Sequence, residues 1–110
     1  LVKIATSGNN KIMFGSDSAP HPKSAKENWG CAAGVFTAPI ALQVLTQLFE
    51  EHNALDKLQG FISDNACKIY DINPLEKSIT LEKKDFIVPN SYDTQDETVV
   101  PMYAGQTLSW

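Results

Sequence analysis

The run Lys11-Ile12-Met13-Phe14, closed at once by Gly15, constrains the fold of this chain more than any other feature. It is short, apolar and followed by turn-formers, the pattern of a parallel-sheet strand buried on both faces. The next segment, residues 16–34, contains Pro20, Pro22, Gly30 and Gly34 with almost no periodicity. It reads as a loop long enough to carry function. Beyond it Ile40, Val44 and Leu48 recur every four residues beside Ala41, Leu45 and Phe49, with Gln43, Thr46, Gln47, Glu50 and Glu51 opposite. That spacing predicts an amphipathic helix, with Thr37 placed to cap it, Pro39 in its first turn and its end near His52 and Asn53. Strand, long loop and helix form the βα unit of an α/β protein, in which sites gather at the carboxyl end of the strand.

A second helix is expected from Leu55 to about Ser63 and a third from Ala66 to Tyr70. After Pro74 the period shortens. Ile79 to Leu81, Phe86 to Val88, Thr98 to Val100 and Thr107 to Trp110 read as strands or extended arms, and the polar run Asn90 to Thr98 as an exposed loop. Residues 1–74 are therefore taken as strand, site loop and helices, and residues 75–110 as a β-containing carboxyl-terminal extension of the same domain.

At 110 residues the chain is one domain at most, and 43% hydrophobic residues with a net charge of −4 suit a core better than disorder. A pI near 5.0 and the absence of Arg argue against nucleic acid as a partner. No apolar run is long enough to span a bilayer, and Leu1 to Asn10 lacks the apolar centre of a secretory signal, so a soluble, cytoplasmic protein is expected. Leu1 in place of Met, and the end at Trp110, suggest a processed or excised piece. Cys31 and Cys67 have no second thiol or His at metal-ligand spacing and are expected to be small buried thiols.

Charge is uneven. Residues 1–49 carry four Lys against two acids, and residues 50–110 five Lys against eleven. Within the loop, Asp17 stands just past the strand, and His21 follows four residues later on a segment stiffened by Pro20 and Pro22. A carboxylate there can bind a metal and shuttle a proton, and a neighbouring imidazolium can grip an anion. The same residues also suit an Asx-turn at Asp17 and an ordinary exposed loop His. Trp29 reads as a packing aromatic or a shield against water, His52 as a cation at a helix end, and Lys23, Lys26 and Glu27 as a solvated face.

Phe14-Gly15-Ser16-Asp17-Ser18-Ala19-Pro20-His21, then Gly30-Cys31-Ala32-Ala33-Gly34, Thr37-Ala38-Pro39 and Phe49-Glu50-Glu51-His52-Asn53-Ala54-Leu55, resemble the single-function dihydroorotases of bacteria and fungi. The resemblance continues through Gly60-Phe61 and residues 63–70 to Val100-Pro101 and Ala104-Gly105, and is weakest over residues 77–97. It implies the carboxyl-terminal portion of a (β/α)8 barrel of the amidohydrolase superfamily. The family interconverts dihydroorotate and N-carbamoyl-L-aspartate in pyrimidine synthesis, with two zinc ions bridged by hydroxide and a carboxylated Lys.

On that resemblance Asp17 is a zinc ligand that takes a proton during attack on the amide and returns it to the leaving nitrogen. His21 holds the substrate carboxylate, and the backbone of Ala33 bonds the substrate ring. The thin side chains from Cys31 to Gly34 suit close approach by a ligand. The family's His-x-His pair, its Arg, Asn and carboxylated Lys, and two further His are missing from this sequence. A barrel needs about 250 residues, so the remainder of the barrel is an expected partner, the parent protein an expected homodimer, and the chain alone is expected to be inactive. A non-catalytic domain of the same fold, kept as an assembly partner, is the alternative.

Overall fold

The computed structural model describes residues 1–110. Val2–Ala5 forms a single turn, α1, which the sequence did not announce. Lys23–Lys26 forms a second short turn, α2, inside the long loop. A 3-10 turn at Ala38–Ile40, with Pro39 in it, leads into α3, Ala41–Glu51, where the four-residue apolar spacing expects a helix. His52 stands at its carboxyl end with Nδ1 2.9 Å from the Leu48 carbonyl, the helix-end position read from the sequence.

The second and third expected helices are one continuous rod. α4 (Leu55–Gln59) passes through a π-helical stretch, Gly60–Asp64, into α5 (Asn65–Tyr70). In that stretch the Asn65 N–H bonds the Gly60 carbonyl five residues back, and the Phe61 carbonyl accepts from the Phe14 N–H at 2.8 Å. The widened turn thus turns a helix carbonyl outward to hold the segment before the loop.

Residues 11–14, expected as a buried strand, join no ladder and lie half-buried or exposed. A strand exists only through its neighbours, and this chain supplies none beside that segment. The Phe61 bond, two donations from Asn65 Nδ2 to the Asn9 and Ile12 carbonyls (3.2 and 2.7 Å), and an aromatic contact with Phe61 help seat it. Residues 79–81 likewise form no strand.

The remaining expectations for residues 75–110 find two small antiparallel sheets. β1 (Phe86–Ile87) pairs with β4 (Thr107–Leu108), Phe86 opposite Leu108. β2 (Tyr92–Asp93) pairs with β3 (Thr98–Val99), placing a strand inside the run expected to be loop. Residue alternation turns Val88 and Leu108 onto Ile40 while Ile87 and Thr107 face out, and Val44, Phe86 and Tyr103 close over that core. A second apolar centre stacks Phe49 on Phe61, with ring centroids 5.3 Å apart. Full burial of Phe49 is worth roughly 1.5–3 kcal/mol.

Trp110 is tied back to α3. Its Nε1 donates to Glu50 Oε2 at 3.0 Å, Lys83 pairs with the other oxygen of Glu50, and the Lys83 ammonium lies 5.8 Å from the indole centroid. These contacts hold Glu50 below the ordinary carboxylate range, chiefly the hydrogen bond from Lys83 and next that from Trp110.

Only eight of 110 residues are buried. The radius of gyration is 15.9 Å, against about 13 Å for a self-contained domain of this length. Both values describe a chain that leaves much of its apolar surface uncovered. No helix is long and apolar enough to cross a membrane.

Candidate active site

The long loop is folded back on itself by Ser18. Its hydroxyl accepts hydrogen bonds from the Thr37 and Ala38 amides at 3.1 and 2.9 Å, so Ser18, not Thr37, caps the turn before α3. Thr37 makes no side-chain cap, and its Oγ1 is buried without a partner. Beside this cap Ser18 bridges Val35 in parallel fashion, and the Ala19 N–H donates to the Val35 carbonyl at 2.9 Å. Gly34 completes the closure. It has φ +95°, and a Cβ there would lie 2.5 Å from the Ala19 Cβ, so only glycine permits this approach of the two arms.

The closure puts the three expected site residues on one stapled arch. Asp17 directly precedes Ser18, is exposed, and has φ +40°, a left-handed conformation that costs a non-glycine residue roughly 1–3 kcal/mol. Its carboxylate accepts no hydrogen bond within the chain, so the Asx-turn does not form. Strain and a free carboxylate together leave Asp17 available to something outside the chain. His21 is exposed two residues beyond Ala19, and its amide bonds the Ala19 carbonyl at 2.8 Å.

Ala33 stands on the returning arm, exposed, and neither its N–H nor its carbonyl has a partner in the chain. Its neighbours do. The Ala32 amide donates to the Ala25 carbonyl at 3.1 Å, and the Lys26 ammonium donates to the carbonyls of Ala32 and Gly34. Lys26 is therefore turned into the loop and is no part of a solvated face, while Lys23 and Glu27 do pair outside at 3.8 Å. The sequence carried a signal for this. Lys23 has an acid at i+4, and Lys26 has Gly30 there.

The extension braces the same arch. Ser24 Oγ donates to Glu97 Oε2 at 3.2 Å, Phe36 bridges Pro101, and the Phe36 and Tyr92 rings meet edge-on at 5.7 Å. Trp29, expected to pack, is fully exposed, and Cys31 is exposed and Cys67 half-buried, against the expectation of buried thiols.

No three His, Cys, Asp or Glu side chains converge anywhere. A stable zinc site takes three or four protein ligands. Asp17, exposed and unbonded, fits as one of them, and no second and third ligand converge on it within this chain.

An unpartnered carboxylate in a left-handed conformation, an imidazole and a free peptide unit on a loop that leads into a helix make this loop the candidate site. Two solved structures resemble the chain. A crystal structure of dihydroorotase from Campylobacter jejuni superposes with a TM-score of 0.84 at 52% identity, over 97% of this chain and 31% of that one. The dihydroorotase from Saccharomyces cerevisiae in complex with 5-fluoroorotic acid gives 0.88 at 39% identity, over 100% and 32%. No family model matches the chain.

In sequence, the dihydroorotase of Helicobacter acinonychis is 50% identical over 111 residues, covering all of this chain and 33% of the relative. The mitochondrial dihydroorotase of Arabidopsis thaliana is 43% identical over 110 residues, 29% of its length. The chain matches the carboxyl-terminal third of dihydroorotases from end to end. It spans about a third of the length of the curated relatives it matches.

Proposed function

We propose that the protein carrying this chain is a zinc-dependent cyclic amide hydrolase of the amidohydrolase barrel type. It interconverts (S)-dihydroorotate and N-carbamoyl-L-aspartate in pyrimidine biosynthesis. The observation that carries this reading is the end-to-end match to dihydroorotases, with Asp17, His21 and Ala33 all on one closed loop. Residues 1–74 would furnish the last barrel strand, loop and helices, and residues 75–110 the extension that braces them. The remainder of the barrel supplies the other metal ligands, the whole acts in the cytoplasm, and it assembles as a homodimer, which sedimentation of the full-length protein tests.

When bound, a zinc pair supplies positive charge that polarises the amide carbonyl and makes water a better nucleophile at neutral pH. Asp17 would be one of the residues that hold the metal, and its carboxylate is also the group that takes the proton. As water adds to the ring carbonyl carbon, its proton passes to Asp17. As the carbon–nitrogen bond breaks, Asp17 returns that proton to the departing nitrogen, so the elements of water are added and the carboxyl ends unchanged. His21 grips the substrate carboxylate, and the free N–H and carbonyl of Ala33 bond the ring amide, fixing the angle at which the carbon is presented.

Asp17→Asn in the full-length protein keeps the shape and one oxygen but cannot take the proton. Turnover in both directions should fall by about 10³ to 10⁴, the upper part of what acid–base catalysis supplies, while zinc content falls less. A variant keeping about a tenth of wild-type turnover with both zinc ions bound would mean that another group moves the proton.

A further inference from the structure

We propose that Lys26 is a positioning residue for substrate binding, holding the peptide unit of Ala33 in the geometry that receives the ring. This rests on the reading of Ala33 just given and adds to it a residue that does not touch the substrate. Residues 31–34 belong to no helix or ladder. Their order comes from the Ala25–Ala32 backbone bond, the close packing of Gly34 on Ala19, and Lys26, whose ammonium donates to the carbonyls on either side of Ala33. Fixing the Ala32 and Gly34 carbonyls restricts the torsions between them, and those torsions aim the Ala33 N–H and carbonyl.

Lys26 enters no ion pair, although its neighbour Lys23 does. A surface lysine with no carboxylate partner normally keeps its ammonium in water. Here the residue is half-buried and its ammonium donates to two carbonyls, a placement that orders a long side chain along the loop. Ordering a backbone residue is entropically expensive. A loop ordered before the substrate arrives saves that cost at binding, so the effect belongs in KM more than in kcat.

The test compares Lys26→Met, which keeps the stem and loses the donors, with Lys26→Arg, which keeps donors and charge, in the zinc-loaded full-length enzyme. Steady-state kinetics with dihydroorotate are read beside hydrogen–deuterium exchange of residues 31–35, thermal midpoint and zinc content. Lys26→Met should raise KM by roughly tenfold to a hundredfold, the range for losing a charged hydrogen bond. It should also speed exchange at residues 31–35 and leave kcat within about threefold, with midpoint and zinc unchanged. Lys26→Arg should recover most of both effects.

Unchanged exchange or unchanged KM in Lys26→Met overturns the proposal, as does a fall in zinc content or thermal midpoint that accounts for the kinetics. An active wild type whose KM rises in His21→Ala but not in Lys26→Met overturns this inference alone. A full-length wild type inert toward dihydroorotate overturns the reading of the site and this inference with it.

Discussion

Gly34→Ala tests whether the approach of the two loop arms sets the site. The new Cβ would sit 2.5 Å from the Ala19 Cβ, whereas carbon pairs rest at about 3.5–4.0 Å. The arms must part by about 1 Å or more, and Ala19 is held to Val35 by a single 2.9 Å backbone bond that breaks beyond about 3.5 Å. Losing that bond costs about 1 kcal/mol, overpacking about 1–3, and a side chain at φ +95° adds strain. With that strain at about 1–3 kcal/mol the sum is about 3–7 kcal/mol, shared between unfolding and a displaced loop. Because Asp17 and Ala33 flank the contact, a displacement of about 1 Å should cost about 10² in kcat/KM. Melting, zinc content and kinetics of the full-length protein are the assay, with Gly30→Ala as control, since a Cβ there meets nothing closer than Asn28 Oδ1 at 3.6 Å. Gly34→Ala should melt lower and turn over poorly with zinc retained, and Gly30→Ala should match the wild type. Wild-type behaviour of Gly34→Ala, or equal damage from Gly30→Ala, would refute the reasoning.

Three further outcomes are expected. His21→Ala should raise KM for dihydroorotate by about tenfold to a hundredfold, since a charge-assisted contact is worth about 1.5–3 kcal/mol; loss of zinc on that change would make His21 a ligand instead. Asn65→Ala leaves the Asn9 and Ile12 carbonyls without their side-chain donor and should lower stability in urea by about 1–3 kcal/mol, with no change placing those bonds outside the fold's energetics. Glu50 has its carboxyl lowered from 4.5, so its contribution is full above that value and is lost as pH falls through the lower folded value. Acid should therefore free Trp110 and red-shift its emission at a pH lower than an ordinary carboxylate titrates, and Glu50→Gln should abolish that step; an identical acid transition in Glu50→Gln would show that Glu50 does not hold the indole.

Features carried by local spacing were legible in the sequence. α3 follows from apolar residues four apart, and the position of the site loop from its prolines and glycines. Features that depend on distant residues were not. Residues 11–14 have the composition of a buried strand, but their ladder partners are absent from this chain. Thr37 has the right residue type and place for a cap, yet an oxygen nineteen residues earlier took both amides. Gly60 hints at a weak point in the helix after Leu55, but the π turn has its use only in the carbonyl it turns toward Phe14. Asp17 and His21 are proposed from their motif alone, and the arch that carries them depends on Ser18, Gly34 and Lys26, residues of ordinary type in ordinary company.

The Ser18 staple also bears on the order in which the chain folds. Its bonds join residues nineteen and twenty apart, and the Ala19–Val35 bond spans sixteen. Helices α3 and α4–α5 close through neighbours a few residues away and can form on fast local timescales. The arch gains nothing until a long loop has already closed, which costs chain entropy in advance. Closure of the arch, and with it the seating of Asp17, is therefore expected to follow formation of the helices.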